Sequence, residues 1–70
     1  MTAGTIRVNG ETMALAGARL LDVLTVLGVD PTRRGIAIAV DGAVVPRARW
    51  DAPLLRGGEE IDIVRPLSGG

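Results

Sequence analysis

From Thr5 to Val8 polar and apolar residues alternate, which places Ile6 and Val8 on one face of an extended segment. Asn9-Gly10 follows, and alternation resumes over Thr12-Met13-Ala14-Leu15. Both turn residues tolerate the positive φ angles that a two-residue hairpin turn requires, so the chain opens with a predicted β-hairpin. After Gly17 the period changes. Leu20, Val23, Leu24 and Leu27 fall at i, i+3, i+4 and i+7, the spacing of one apolar stripe on a short helix. Gly28 suits the left-handed residue that closes a helix, and Asp22 in the first turn has the sign the helix dipole favours. Ala18-Arg19 supplies no capping oxygen, which leaves the helix start unmarked.

The second half returns to strand spacing. Asp30-Pro31-Thr32-Arg33-Arg34-Gly35 reads as a loop by its breakers and charges. In Ile36-Ala37-Ile38-Ala39-Val40 the large residues share one face, expected to lie against the helix, and the two alanines share the other. Asp41-Gly42 is a second hairpin signal leading into Ala43-Val44-Val45, which Pro46 confines to an edge or a strand end. Pro53 and Arg56-Gly57-Gly58 punctuate the next stretch, and Glu60 to Val64 forms a last strand with Ile61 and Ile63 inward. Two strands, a helix and three strands predict an α+β domain: a mixed sheet of four to five strands with one main helix packed on one face.

Composition narrows the chemistry. At 70 residues and 47% hydrophobic content there is room for one core, so residues 1–65 are expected to form a single domain. Residues 66–70 are expected to form a flexible tail, because Pro66 cannot donate to a ladder and Gly69-Gly70 has no side chain to anchor. Fully extended, that tail reaches about 17 Å. Eight basic residues balance eight acidic ones and Trp50 is the sole aromatic, so neither a basic stripe nor a stacking platform for nucleic acid is present. No window has the roughly 20 apolar residues of a membrane span, and the expected location is the cytoplasm. The expected free state is a monomer that contacts neither nucleic acid nor membrane.

Cysteine, histidine, lysine and tyrosine are all missing. Thiol nucleophiles, imidazole bases, Schiff-base lysines and Cys/His metal sites are thereby excluded, and no metal site is expected. What remains is hydroxyls, side-chain carboxylates and the two chain ends. Among these the carboxylate of Gly70 stands apart, since activation by ATP turns a carboxylate into an acyl anhydride open to a sulfur nucleophile. Bare Gly69 and Gly70 can thread a channel too narrow for side chains. Leu67, Ser68 and Pro66 would enter a partner with them, and Arg65 at the tail root must be passed by any interface that captures the tail. Val64, Leu67, Ala37 and Ala39 are further expected to form a smooth apolar partner surface on the sheet face away from the helix. Trp50 reads as core cover, Arg33-Arg34 and Glu59-Glu60 as solvated charge, and Gly57-Gly58 lacks the Lys and helix of a phosphate loop.

Val40-Asp41-Gly42, then Val45-Pro46-Arg47, then Trp50, with Gly69-Gly70 at the end, resembles the sulfur-carrier family of thiamine biosynthesis (ThiS-type) over nearly the whole chain. The resemblance implies a ubiquitin-like β-grasp fold. It also implies that Gly70 is adenylated by a ubiquitin-activating-enzyme-like adenylyltransferase using ATP, thiocarboxylated with sulfur from a cysteine desulfurase or another donor, and presented to thiazole synthase. The chain would then be a co-substrate with no bound cofactor, not an enzyme. Two departures stand out: Asp41 where the family often has Asn, and Arg19 where it often has a capping Thr. The alternatives are a carrier for molybdopterin or cysteine-type biosynthesis, a ubiquitin-like tag joined to lysines, and a binding module whose Gly-Gly is incidental.

Overall fold

The last strand in sequence is the middle strand in space. A computed structural model describes residues 4–52 and 54–65. Its strands are β1 (Ile6–Val8), β2 (Glu11–Met13), β3 (Ala37–Val40), β4 (Ala43–Val44) and β5 (Glu60–Val64), with one helix, α1 (Leu20–Val26), and a turn of 3-10 helix at Arg47–Arg49. The sheet order is β2-β1-β5-β3-β4, with β5 parallel to β1 and antiparallel to β3. This is the predicted α+β arrangement, a β-grasp sheet with the helix on one face. The predicted tail, residues 66–70, lies outside the described residues.

The core is the set of residues that alternation placed inward. Ile6, Val8, Ile38, Ile61 and Ile63 from the sheet meet Leu20, Val23 and Leu24 from α1, and Val29, Ile36, Trp50 and Leu55 close the ends. Ile61 is completely excluded from solvent. Truncating a side chain in such a position to Ala costs about 2–5 kcal/mol, comparable to much of the total stability of so small a domain.

Both hairpin turns have the two positive φ angles expected of them: 50° and 87° at Asn9-Gly10, 50° and 84° at Asp41-Gly42. That conformation swings the first turn residue's carbonyl away from the neighbouring β5, and its side chain takes over. Asn9 N–H donates to the Ile61 carbonyl at 2.9 Å, continuing the β1–β5 ladder. Its Oδ1 then accepts the Ile63 N–H at 2.8 Å, and its Nδ2 donates to the Ile63 carbonyl at 3.2 Å. On the other flank Asp41 N–H donates to the Glu60 carbonyl at 2.8 Å, and Asp41 Oδ1 accepts the Glu60 N–H at 2.9 Å. One side chain thus prolongs the ladder at each end of β5. An aspartate suffices at 41, where only an acceptor is used, whereas 9 needs the donor of an amide as well.

The helix start, unmarked in sequence, is closed from three sides. Asp22 Oδ2 accepts the backbone N–H of Arg19 at 2.9 Å, and its carboxylate also pairs with the Arg19 side chain. Arg19 carries no side-chain acceptor, so the box is one-sided, and the Trp50 carbonyl at 3.2 Å takes up the orphan N–H of Leu21. At the other end Val29 N–H reaches the Leu24 carbonyl and Gly28 N–H the Thr25 carbonyl, a Schellman closure with Gly28 at φ 74°.

Several expectations are corrected at element edges. β1 begins at Ile6 and β3 at Ala37, each one residue later than the Thr5 and Ile36 read from the alternation. β2 stops at Met13 instead of continuing to Leu15, because the Leu15 N–H turns back to the Met13 carbonyl at 3.0 Å and takes the chain out of the ladder. Leu27 is the helix cap, not a helical residue. β4 has two residues, since Pro46 has no N–H with which to extend it, although Val45 N–H still reaches the Ile38 carbonyl at 2.8 Å. The 3-10 turn was not predicted; Arg49 N–H to Pro46 carbonyl and Trp50 N–H to Arg47 carbonyl form it.

The asymmetry between the two turns yields a direct test. Asn9→Asp should destabilise the domain by about 1–2 kcal/mol in denaturant titrations, because the Ile63 carbonyl loses its donor and faces negative charge. Asp41→Asn should stay within about 0.5 kcal/mol of the parent. Equal effects at both sites would show that the side chains do not carry the ladder.

Candidate functional site

Strand alternation and register bring the predicted surface residues together on the face of the sheet away from α1. Ala37 lies opposite Val64, and Ala39 opposite Asp62. Ala37 is exposed, Ala39 half-buried, and Val64 is 62% exposed although apolar. Exposed Arg65 follows directly. Pro66, Leu67, Ser68, Gly69 and Gly70, the other predicted site residues, lie outside the described residues.

One member of this surface escaped sequence reasoning. Val44 is 74% exposed and is the register partner of Ala39 on the opposite flank from β5. The signal for it was available: a two-residue turn at Asp41-Gly42 sets Val40 opposite Ala43 and therefore Ala39 opposite Val44. The surface is also less uniform than expected. Asp62 sits beside Ala39, and beyond it Glu60 pairs with Arg7 across β5 and β1 at 3.8 Å. The outer face therefore divides into an apolar half on β3, β4 and the end of β5, and a charged half on β1 and the start of β5.

The turn leading into β5 is stiffened by a residue expected to be merely solvated. Glu59 accepts the N–H of Arg56 at 2.8 Å and that of Gly57 at 2.7 Å. Burial pushes the Glu59 carboxyl up, but these backbone donors more than offset it and hold it below its ordinary value. Around the helix start the Arg19 side chain, then its backbone N–H, lowers the Asp22 carboxyl. In the following loop the Thr32 hydroxyl and N–H do the same for Asp30, which accepts them at 2.7 and 2.9 Å. These carboxylates are structural; among the described residues no group of His, Cys, Asp and Glu could hold a metal ion.

The Pro46-Arg47-x-x-Trp50 element is a tie between loops. Trp50 is buried, 2% exposed, and its indole N–H donates to the Val45 carbonyl at 2.9 Å. The Arg47 guanidinium stacks over that ring, 4.5 Å from its centroid, while its two terminal nitrogens donate to the carbonyls of Pro31 and Arg33. One cation thereby fixes the loop before β3 to the segment after β4. The Arg33-Arg34 loop is held at its main-chain carbonyls by the Arg47 side chain.

The described residues present an apolar half-face next to the point where the chain leaves β5.

The model of the ThiS family matches residues 6–70 of this chain. Among solved structures the chain is similar to the thiamine biosynthesis protein (ThiS) from Geobacter metallireducens, with a TM-score of 0.70 and 23% identity, covering 94% of this chain and 99% of that one. At that identity the likeness is one of fold. No curated protein matches the chain in sequence.

Replacing Arg47 tests the tie. Arg47→Ala should cost about 1–3 kcal/mol, the sum of a surface cation–π contact and two net hydrogen bonds, and should accelerate amide exchange in residues 30–35. Arg49→Ala, two residues away and exposed, should stay within about 0.5 kcal/mol.

Proposed function

The chain belongs to the ThiS family, and from that membership we propose that it is a sulfur carrier of thiamine biosynthesis that bears its cargo on the carboxyl of Gly70. The observation that carries this reading is the extent of the family match, which runs from β1 through Gly69-Gly70. The composition supports it independently, because a chain without cysteine has no side-chain thiol on which to hold sulfur.

In this reading a Gly70 carboxylate oxygen attacks the α-phosphorus of ATP bound to a ubiquitin-activating-enzyme-like adenylyltransferase. Pyrophosphate leaves. The terminal sulfur of a persulfide supplied through a cysteine desulfurase then attacks the acyl carbon and AMP departs; a thiol reductant cleaves the resulting acyl disulfide to the thiocarboxylate, which a donor of free sulfide would give directly, and thiazole synthase consumes it. Residues 66–70 act as the arm, the β-grasp body as the handle, and ATP is the partner's substrate. The protein is a co-substrate and works in the cytoplasm. No helix among the described residues is long and apolar enough to cross a membrane.

Deleting Gly70, or replacing Gly69 by Val, should abolish ATP-pyrophosphate exchange by the adenylyltransferase while leaving thermal unfolding unchanged. Undiminished exchange refutes the carrier reading. In the complete system with ATP, desulfurase and cysteine, the carboxy-terminal peptide should gain the mass of sulfur for oxygen. A product joined to lysine would instead favour a protein tag.

The apolar half-face supplies the second contact, with Ala37, Ala39 and Val64 meeting the partner beside Arg65 and the arm. Ala39→Glu should lose about 1 kcal/mol or less of fold stability, and its carboxylate, desolvated next to Asp62, should cost the complex a few kcal/mol in calorimetric titration. Leu67→Asp should weaken the same complex. Normal binding by both variants would leave Gly69-Gly70 as the sole grip.

A further inference from the structure

We propose that Asn9 is a site of spontaneous covalent modification, deamidation through a cyclic imide, and that this change unfastens the end of β5. The chemistry is local. Attack of the Gly10 amide nitrogen on Asn9 Cγ forms a five-membered imide and expels the side-chain nitrogen as ammonia. Water then opens either imide carbonyl, leaving aspartate or isoaspartate at position 9. Glycine as the following residue is the arrangement least obstructed toward this attack, since it has no Cβ, and nothing lies within 4 Å of where one would stand at Gly10. Both residues are exposed.

The fold restrains this chemistry. Oδ1 and Nδ2 of Asn9 are both held by the Ile63 backbone, at 2.8 and 3.2 Å, so the amide is fixed against β5 and must let go before Cγ can turn toward the Gly10 nitrogen. The reaction therefore proceeds from an opened state of the turn, at a rate scaled by how often the clasp is open. Once it has occurred, the two-bond clasp cannot re-form in full, because the Nδ2 donor to the Ile63 carbonyl is gone. Isoaspartate adds a carbon to the main chain inside a two-residue turn whose φ angles are 50° and 87°. Aspartate sets a carboxylate against the Ile63 carbonyl where Nδ2 had donated. In either product the Ile63 carbonyl has lost its donor from the β1 flank, two residues before Arg65. The second hairpin cannot deamidate, because Asp41 has no amide nitrogen to lose; Asp41-Gly42 reaches the same imide only by expelling water, a poorer leaving reaction than loss of ammonia.

The experiment uses the full chain in neutral buffer, with and without denaturing urea, followed by peptide mapping and by hydrogen exchange. Deamidation should map to Asn9 and run about tenfold or more slower in the folded protein than in urea. The isoaspartate form, separated from the parent by its added negative charge and resolved from the aspartate form by chromatography, should exchange the Ile63 amide as fast as Asn9→Gly, which keeps the turn but lacks the clasp, with protection at Val8 retained in both. Equal rates in the folded and denatured chain, or native protection of Ile63 in the isoaspartate form, would overturn the proposal. The readouts involve neither adenylation nor sulfur, so they stand or fall apart from the carrier reading.

Discussion

The structure depends on a central strand that must be hydrogen-bonded on both flanks while its neighbours turn away. β5 has five residues, whereas β1 has three and β3 four, so each neighbour runs out before β5 does. In a sheet this small an unpaired stretch of buried backbone would cost as much as a lost hydrogen bond for each group left bare. Asn9 and Asp41 solve the problem from within the turns. The positive φ that lets the chain reverse also displaces a main-chain carbonyl, and the short polar side chain replaces it in the ladder. Turn chemistry and sheet completion are therefore one requirement, met twice by the same residue class.

That coupling explains which parts were legible in the chain. Hairpins, helix stripe and inward isoleucines follow from periods of 2 and 3.6 and from Asn-Gly and Asp-Gly pairs, all written locally. The departure at Asp41 also finds its reason, since only an acceptor is used there. What escaped was mostly long-range. Trp50 serving the helix start and Arg47 bridging two loops involve partners whose proximity exists only after folding; Glu59, which closes its own turn, is local, and its charge masked its role as a backbone acceptor. Val44 lies between these cases: the turn fixes its register, but its place on the outer face emerges only when β3 is set against β5.

The same division appears in the surface. Ionic and polar side chains near the helix start, the loop before β3 and the turn before β5 satisfy backbone groups or one another, and no buried side-chain polar atom among the described residues lacks a partner. Their chemistry is consumed by the fold. Ala37, Ala39, Val44 and Val64 form the contrasting surface, apolar groups with no partner inside the domain, gathered where β5 hands the chain on to Arg65. In a carrier this separates a body that should not react from an end that should.

The parallel pairing of β1 with β5 has a mechanical meaning. Both strands point the same way, so tension drawing the chain beyond Arg65 away from the body pulls along the strand axis while β1 and β3 hold from either side. Such a load is shear: the ladder bonds share it together, whereas a hairpin edge pulled crosswise would open one bond at a time. An arm tugged lengthwise thus tests the strongest direction of the sheet, and the body can act as an anchor with one helix and one small core among its described residues.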